Sequence, residues 1–169
     1  MPDLPNSQLG RALELAGAPS NGTSEVQTLT LSAFGACTLT LGFKGASTSI
    51  VLAGTEDNTA LPAAIVAALV GLRTIGAGGV TATSSGTTDR AVAITFAAAL
   101  GKLDVDLITA SVANGATVAA VATTTPGVTA TARGQALTGQ LLVDSTTGKW
   151  YSNTGTATAP TWTVVGSQS

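Results

Sequence analysis

The sequence predicts an α+β fold that is mostly β, with a small β-sandwich-like body, one packed helix and a short C-terminal β-hairpin segment. Three observations support this class. Residues 58–73 are the only long segment with large apolar residues at helical spacing. Most other apolar residues alternate with threonine or serine, which is the period of a half-buried strand. Glycines and turn pairs such as Asn-Gly divide these stretches into short pieces.

Residues 1–24 begin and end in turn-forming sequence, and residues 7–16 between them predict a short helix with Leu9 and Leu13 one turn apart. A helix of this length falls below the roughly 12–15 residues that persist alone in water, so it needs a surface to lie on. Two interpretations stay open for this segment: a frayed tail, or an arm that docks on a partner.

Residues 25–127 predict the body. Strands are expected at residues 25–32, 38–43 and 47–52, before the helix, and at residues 80–84, 91–97, 107–112 and 117–124 after it. A hairpin is expected at residues 84–89, and Asn114-Gly115 predicts another between the last two strands.

The helix is the organising element of this body. Its apolar face is formed by Leu61, Ile65, Leu69 and Leu72. Asn58 or Thr59 is expected to cap its start, and Glu56 and Asp57 suit its positive end. Arg73 is expected at the negative end, before the glycine-rich stop at residues 76–79.

Residues 128–137 predict a connector, and residues 138–169 predict a C-terminal β segment. Strands at residues 139–143 and 149–153 flank a turn at residues 144–148, and a third strand covers residues 161–165. Trp150, Tyr151 and Trp162 supply apolar area that is scarce elsewhere in the chain. Because three short strands are marginal alone, we expect this segment to pack on the body or on a symmetry mate.

Composition excludes several function classes. Only 9% of the 169 residues are charged and the net charge is −2, so we expect no groove for nucleic acid, which needs clustered cations. The apolar runs are too short to span a bilayer and the N-terminus lacks a signal peptide, so we expect a soluble protein made in the cytoplasm. Alanine and valine bury little area each, so the core is thin and association would stabilise it.

Candidate chemical sites are few. Asp104 and Asp106 could share a cation if they lie on one strand face, although a solvated strand end is the favoured interpretation. Cys37 is expected to be a small buried apolar residue, and without any histidine it has no catalytic base. Thr146-Thr147-Gly148-Lys149 lacks the spacing of a phosphate loop, and residues 76–79 lack that of a dinucleotide fingerprint. Asn21-Gly22-Thr23 is a chance glycosylation match. We therefore expect no enzyme activity and no cofactor.

Two stretches resemble known phage modules. Residues 25–31, the helix, residues 79–81 and 93–96, and the run Thr123-Thr124-Thr125-Pro126-Gly127 resemble a module of tailed-phage virion proteins. Residues 139–155, with the order Asp…Thr-Gly-Lys…Tyr…Asn…Gly followed by Trp162, resemble the terminal segment of phage head-fibre and capsid-decoration proteins.

The resemblance implies a homotrimeric structural protein on the outer surface of a phage capsid, where its partner is the major capsid protein. In this hypothesis Leu4, Leu9 and Leu13 dock on the shell, and Trp150, Tyr151 and Trp162 organise the outer segment or a trimer contact. Deletion of residues 1–20 is expected to abolish docking and leave the fold intact. The alternatives are a tail-associated or receptor-binding module of the virion and, less favoured, a bacterial surface-adhesion repeat.

Overall fold

A computed structural model describes residues 12–168 of the chain. The described residues form two compact units, one from residues 12–22 and 129–168 and the other from Thr23–Val128. Residues 12–168 contain one α-helix and eleven strands, which confirms the predicted mostly β class. In chain order they are β1 (Leu13–Leu15), β2 (Val26–Ser32), β3 (Cys37–Phe43), β4 (Ala46–Leu52), α1 (Ala60–Val70), β5 (Val80–Gly86), β6 (Arg90–Phe96), β7 (Thr109–Ala113), β8 (Val118–Thr125), β9 (Leu141–Asp144), β10 (Trp150–Asn153) and β11 (Trp162–Val164).

The larger unit is a sandwich of two antiparallel sheets. One sheet has the strand order β5-β6-β2-β8 and the other has the order β4-β3-β7. Helix α1 follows β4 in the chain, precedes β5, and packs against both. The helix therefore closes one side of the sandwich, while β7 and β8 lie next to each other at the opposite side.

The core of this unit follows the alternation of the sequence. Leu29 and Leu31 of β2 and Leu39 and Leu41 of β3 are fully buried, whereas the threonines between them face outward. Burial of one such leucine contributes roughly 1.5–3 kcal/mol relative to an exposed one. Cys37 lies in the same core at 4% exposure, as expected for a small apolar residue.

Helix α1 buries the predicted face through Leu61, Ile65 and Leu69, but its ends differ from the prediction. Thr59 is the N-cap residue as predicted, but its side chain makes no capping hydrogen bond. Instead, Asp57 Oδ1 accepts from the N–H groups of Thr59 (2.8 Å) and Ala60 (2.7 Å). The Asn58 amide is engaged elsewhere, because its oxygen accepts from Arg90 at 2.8 Å. The helix ends at Val70, so Arg73 lies beyond its last turn.

The predicted hairpin at Asn114-Gly115 is wrong. Strand β7 pairs with β3 and strand β8 pairs with β2, so the chain crosses from one sheet to the other between them. Burial explains the crossing, because the inward side chains of both strands pack on the same core from opposite sheets: Ala110, Val112, Ala119 and Val121.

The smaller unit is a four-stranded sheet with the order β1-β9-β10-β11. Strand β1 is parallel to β9, and the other pairs are antiparallel. Its core contains Ala136, Leu142 and Trp162. Ala136 belongs to residues 128–137, the predicted connector, and is fully buried in this unit.

The predicted helix at residues 7–16 is wrong over the part that the structure describes, because Leu13–Leu15 is a strand. Leu13 and Leu15 point to one face of β1 and pack on the small core, an arrangement that helical spacing would not give. Residues 7–11 of that prediction lie outside the described residues.

Candidate interaction surface

Asp144 organises the turn between β9 and β10. Its carboxylate is 1% exposed, and it accepts from Thr147 Oγ1 at 2.6 Å, from Thr146 N–H at 2.8 Å and from Gly17 N–H at 2.9 Å. These hydrogen bonds, with the Thr147 hydroxyl first, hold the pKa of Asp144 below its ordinary value although burial opposes them. The carboxylate itself occupies this turn, so the turn is not a phosphate loop.

Asn153 has a similar role at the end of β10. Its amide oxygen accepts from the N–H groups of Gly155 and Thr161, both at 2.9 Å. Its amide nitrogen donates to the carbonyls of Ala136 (2.9 Å) and Leu137 (3.2 Å). The side chains of Asp144 and Asn153 therefore make their hydrogen bonds within the unit and hold its loops together.

The three aromatic residues of this unit do not share one environment. Trp162 is 5% exposed and donates from Nε1 to the Thr131 carbonyl at 3.1 Å. Tyr151 packs at the margin of the same small core. Trp150 points to the other face of the sheet and is 43% exposed. Of the predicted packing residues, two are internal and one is available to a partner.

The outward side of this sheet carries a contiguous apolar row. Val143 pairs with Trp150 across β9 and β10, and Val165 N–H donates to the Trp150 carbonyl at 2.9 Å. Leu141 lies on the same face of β9 and is 41% exposed, while Val165 is 43% exposed. We call Leu141, Val143, Trp150 and Val165 the outer face of the smaller unit.

Of the predicted docking residues Leu4, Leu9 and Leu13, the structure describes only Leu13. Leu13 is half-buried against Leu142 and Trp162 of the small core, so its side chain is engaged within the unit. Leu4 and Leu9 lie outside the described residues. Asn21, from the chance glycosylation match, accepts from the Trp162 N–H through its side-chain oxygen.

Asp104 and Asp106 do not lie on a strand. Asp106 is an exposed carboxylate, and its oxygen lies 3.8 Å from Lys44 Nζ. Within residues 12–168 no group of three or more His, Cys, Asp or Glu side chains lies close enough together to hold a metal. The predicted strand end is therefore wrong, because both carboxylates lie in the loop before β7, where they are exposed.

The burial of two polar residues, Glu25 and Gln27, was not predicted from the sequence. Glu25 (1% exposed) accepts from Val105 N–H at 2.8 Å, and Gln27 (fully buried) accepts from Ile108 N–H at 2.8 Å and donates to the Asp106 carbonyl at 3.0 Å. Their signal was present in the sequence, because both share the parity of Leu29 and Leu31 on β2 and therefore face inward. They fix the loop before β7.

No helix in the described part of the chain is long and apolar enough to cross a membrane. Comparison with protein-family models, with curated proteins and with solved structures gave no match for this chain.

Proposed function

We propose that this chain is a structural, non-catalytic virion protein that decorates the outer surface of a phage capsid and stabilises it by binding the major capsid protein. The observation that carries the proposal is the structural use of the C-terminal motif. Asp144, Asn153 and Trp162, which carry the resemblance to head-fibre and decoration proteins, are the residues that fold the smaller unit. The motif that carries the resemblance is thus also a part of the sequence that holds the smaller unit together.

We assign the capsid contact to the smaller unit. Its outer face exposes Trp150 and Leu141, and a partly exposed aromatic residue flanked by aliphatic ones is typical of an interface anchor. Strand β1 belongs to the same unit, and Leu4 and Leu9 precede this strand in the sequence. The homotrimer implied by the resemblance remains part of the proposal.

The test uses capsids from a phage that lacks this protein. The purified chain is mixed with these capsids and the bound fraction is measured by sedimentation. We expect both the deletion of residues 1–11 and the variant Leu141→Ser/Trp150→Ser to reduce occupancy by at least tenfold. Val51→Ser, which removes a side chain 83% exposed in the larger unit, is the matched control and should bind normally. Occupancy unchanged in both test variants would contradict the capsid contact.

The deletion must stop before β1. Removal of residues 1–20 would also take away Leu13 and Leu15, which pack on the small core, and Gly17, which donates to Asp144. The expectation that this longer deletion leaves the fold intact is therefore replaced by one that the smaller unit is damaged.

A second candidate is a tail-associated or receptor-binding module of the virion. The same Trp150 supports it, because an exposed indole beside the hydroxyl groups of Ser152 and Thr163 offers a stacking surface with polar groups at its edge. Imaging of virions that carry a labelled chain separates the candidates: label on the head supports decoration, and label on the tail supports receptor binding.

A further inference from the structure

The sandwich of the larger unit has one closed side and one open side. On the closed side, the end strands β4 and β5 pack against α1. On the open side, the end strands are β7 and β8, and within residues 12–168 each pairs with a single neighbour, β7 with β3 and β8 with β2. Two strand edges therefore lie side by side with backbone groups available for pairing.

These edges have few of the features that keep an exposed edge from pairing. The pairing of β8 with β2 has one irregularity, at Thr124 near the end of β8. Residues 107–132 contain no charged residue at all, and neither strand contains proline. Val118 at the start of β8 is 63% exposed, and Ala120, Ala122 and Ser111 are exposed along the two edges. Monomeric proteins place lysine, proline or a covering element at such positions, because an open uncharged edge is a template for another strand.

We propose that the open side is an interface between copies of this chain, in which β8 of one copy pairs with β7 of a second copy. The short connection at residues 114–117 reverses the chain, so β7 and β8 of one copy run in opposite directions. Rotation of a second copy about an axis parallel to the strands then places β8 beside the partner's β7 in antiparallel orientation. Such a ring closes with two or three copies and uses every open edge.

A second copy fits these edges better than a charged or bulky partner. The contact opposes small uncharged side chains, so a copy meets its own surface without like-charge repulsion. Each sheet would continue across the contact into a sheet of the second copy, so the outward side chains of β8 and of the partner copy's β7 would lie on one surface. This interface lies on the larger unit and does not depend on the proposed virion function.

The first test measures mass by sedimentation velocity over a wide concentration range. We expect the unaltered chain to sediment as a dimer or trimer of the 16.4 kDa chain, and an open-edge variant with four lysines to sediment as a monomer. The open-edge variant carries Ser111→Lys, Ala113→Lys, Ala120→Lys and Ala122→Lys. A matched variant adds four lysines to exposed positions of the closed side and should keep the larger mass: Ser47→Lys, Ser49→Lys, Thr81→Lys and Thr83→Lys.

The open-edge variant could become a monomer because its lysines repel each other across the contact or because they damage the fold. A charge-swapped variant distinguishes these two causes. It keeps Ser111→Lys and Ala113→Lys but carries Ala120→Glu and Ala122→Glu, so opposite charges meet across the proposed contact and the larger mass should return. An unaltered chain that remains a monomer at all concentrations, or an open-edge variant that keeps the larger mass, would overturn the proposal.

The second test identifies the paired strands by cross-linking in a Cys37→Ala background. One protein carries Ser111→Cys on β7 and another carries Ala120→Cys on β8, and the two are mixed and mildly oxidised. Within one copy, residues 111 and 120 lie on the outward faces of opposite sheets, which point away from each other. The proposed pairing brings Cys at position 111 of one protein next to Cys at position 120 of the other, where a disulfide can form. A mixed disulfide in excess over both self-disulfides is expected. Predominant self-disulfides, or none, would overturn the assignment of β8 to β7.

Discussion

Buried polar side chains fix the irregular parts of this protein. Glu25 and Gln27 face the core of the larger unit, yet each accepts or donates hydrogen bonds that hold the loop before β7. Burial raises the pKa of Glu25, but hydrogen bonds from Val105, Gln27 and Thr123 together lower it below its ordinary value of 4.5. The carboxylate is therefore a structural acceptor, and its position before a strand of leucines needs no catalytic explanation.

At this scale we predict the effect of Glu25→Ala. The change leaves the buried Val105 N–H without its acceptor and removes one of the two acceptors of the Gln27 amide, which costs about 1–3 kcal/mol of unfolding free energy. Denaturant unfolding measures the loss. Asp106→Ala in the same loop is the control, because that carboxylate is 72% exposed in a surface ion pair and should change stability by less than about 0.5 kcal/mol. Equal losses for the two variants would contradict the structural role of Glu25.

The elements are positioned by their ends as much as by their apolar faces. The start of α1 is satisfied by Asp57, whose carboxylate accepts from the N–H groups of Ala60 and Thr59. Those two bonds lower the pKa of Asp57 from its ordinary 3.8. The nearby Asn58 is then available to accept from Arg90 and Ser84, and its amide links the helix start to the β5–β6 hairpin.

The helix start gives a direct comparison between two neighbouring residues. We expect Asp57→Ala to lower the thermal midpoint, because it leaves two N–H groups at the start of α1 without an acceptor. Thr59→Ala should leave the midpoint nearly unchanged, since the Thr59 side chain makes no capping hydrogen bond. Thermal unfolding followed by circular dichroism measures both, and a larger loss for Thr59→Ala would contradict the assigned cap.

Gly127 marks a close approach of backbone to backbone after β8. A Cβ atom there would lie 1.8 Å from the Leu103 carbonyl oxygen, and a backbone carbonyl in the Glu25-bound loop has little room to move. We expect Gly127→Ala to cost at least about 2 kcal/mol through this overlap. Gly35→Ala is the control, because its nearest contact would be an ordinary 3.9 Å. Similar unfolding free energies for the two variants would exclude the close approach.

Across the whole molecule, the structural carboxylates make the unfolding free energy depend on pH in the acidic range. Glu25, Glu56, Asp57 and Asp144 all have pKa values lowered by hydrogen bonds. A group whose folded pKa is lower contributes stability above its unfolded pKa, and that contribution is lost as the pH falls through the folded pKa.

We therefore expect the unfolding free energy to be flat near neutral pH and to fall steadily below about pH 4.5. Denaturant unfolding between pH 7 and pH 3 measures the dependence. Asp144→Asn should make the acid slope shallower, because it removes one of these four carboxylates. A free energy that does not change between pH 5 and pH 3 would contradict the prediction.

Sequence patterns predicted most of the strands because local alternation and burial coincide. The two leucines of β2 and of β3 and the helix face of Leu61, Ile65 and Leu69 were all readable as inward positions. The Asp144 turn was readable as a turn, but its contact with Gly17 joins residues 127 positions apart and has no local signal. Trp150 is exposed and Trp162 is buried, and this difference likewise depends on which face of the sheet is covered.

The sequence by itself determined the mostly β class, the single helix and the inward face of nearly every strand, because a side-chain period of two or 3.6 is a local property. Only the tertiary structure decided that Asn114-Gly115 crosses between sheets, that Leu13–Leu15 is a strand of the smaller unit, and that β7 and β8 are end strands within residues 12–168. The physical reason is that strand partners are selected by burial and backbone pairing between residues far apart in the chain, and no local pattern records that choice.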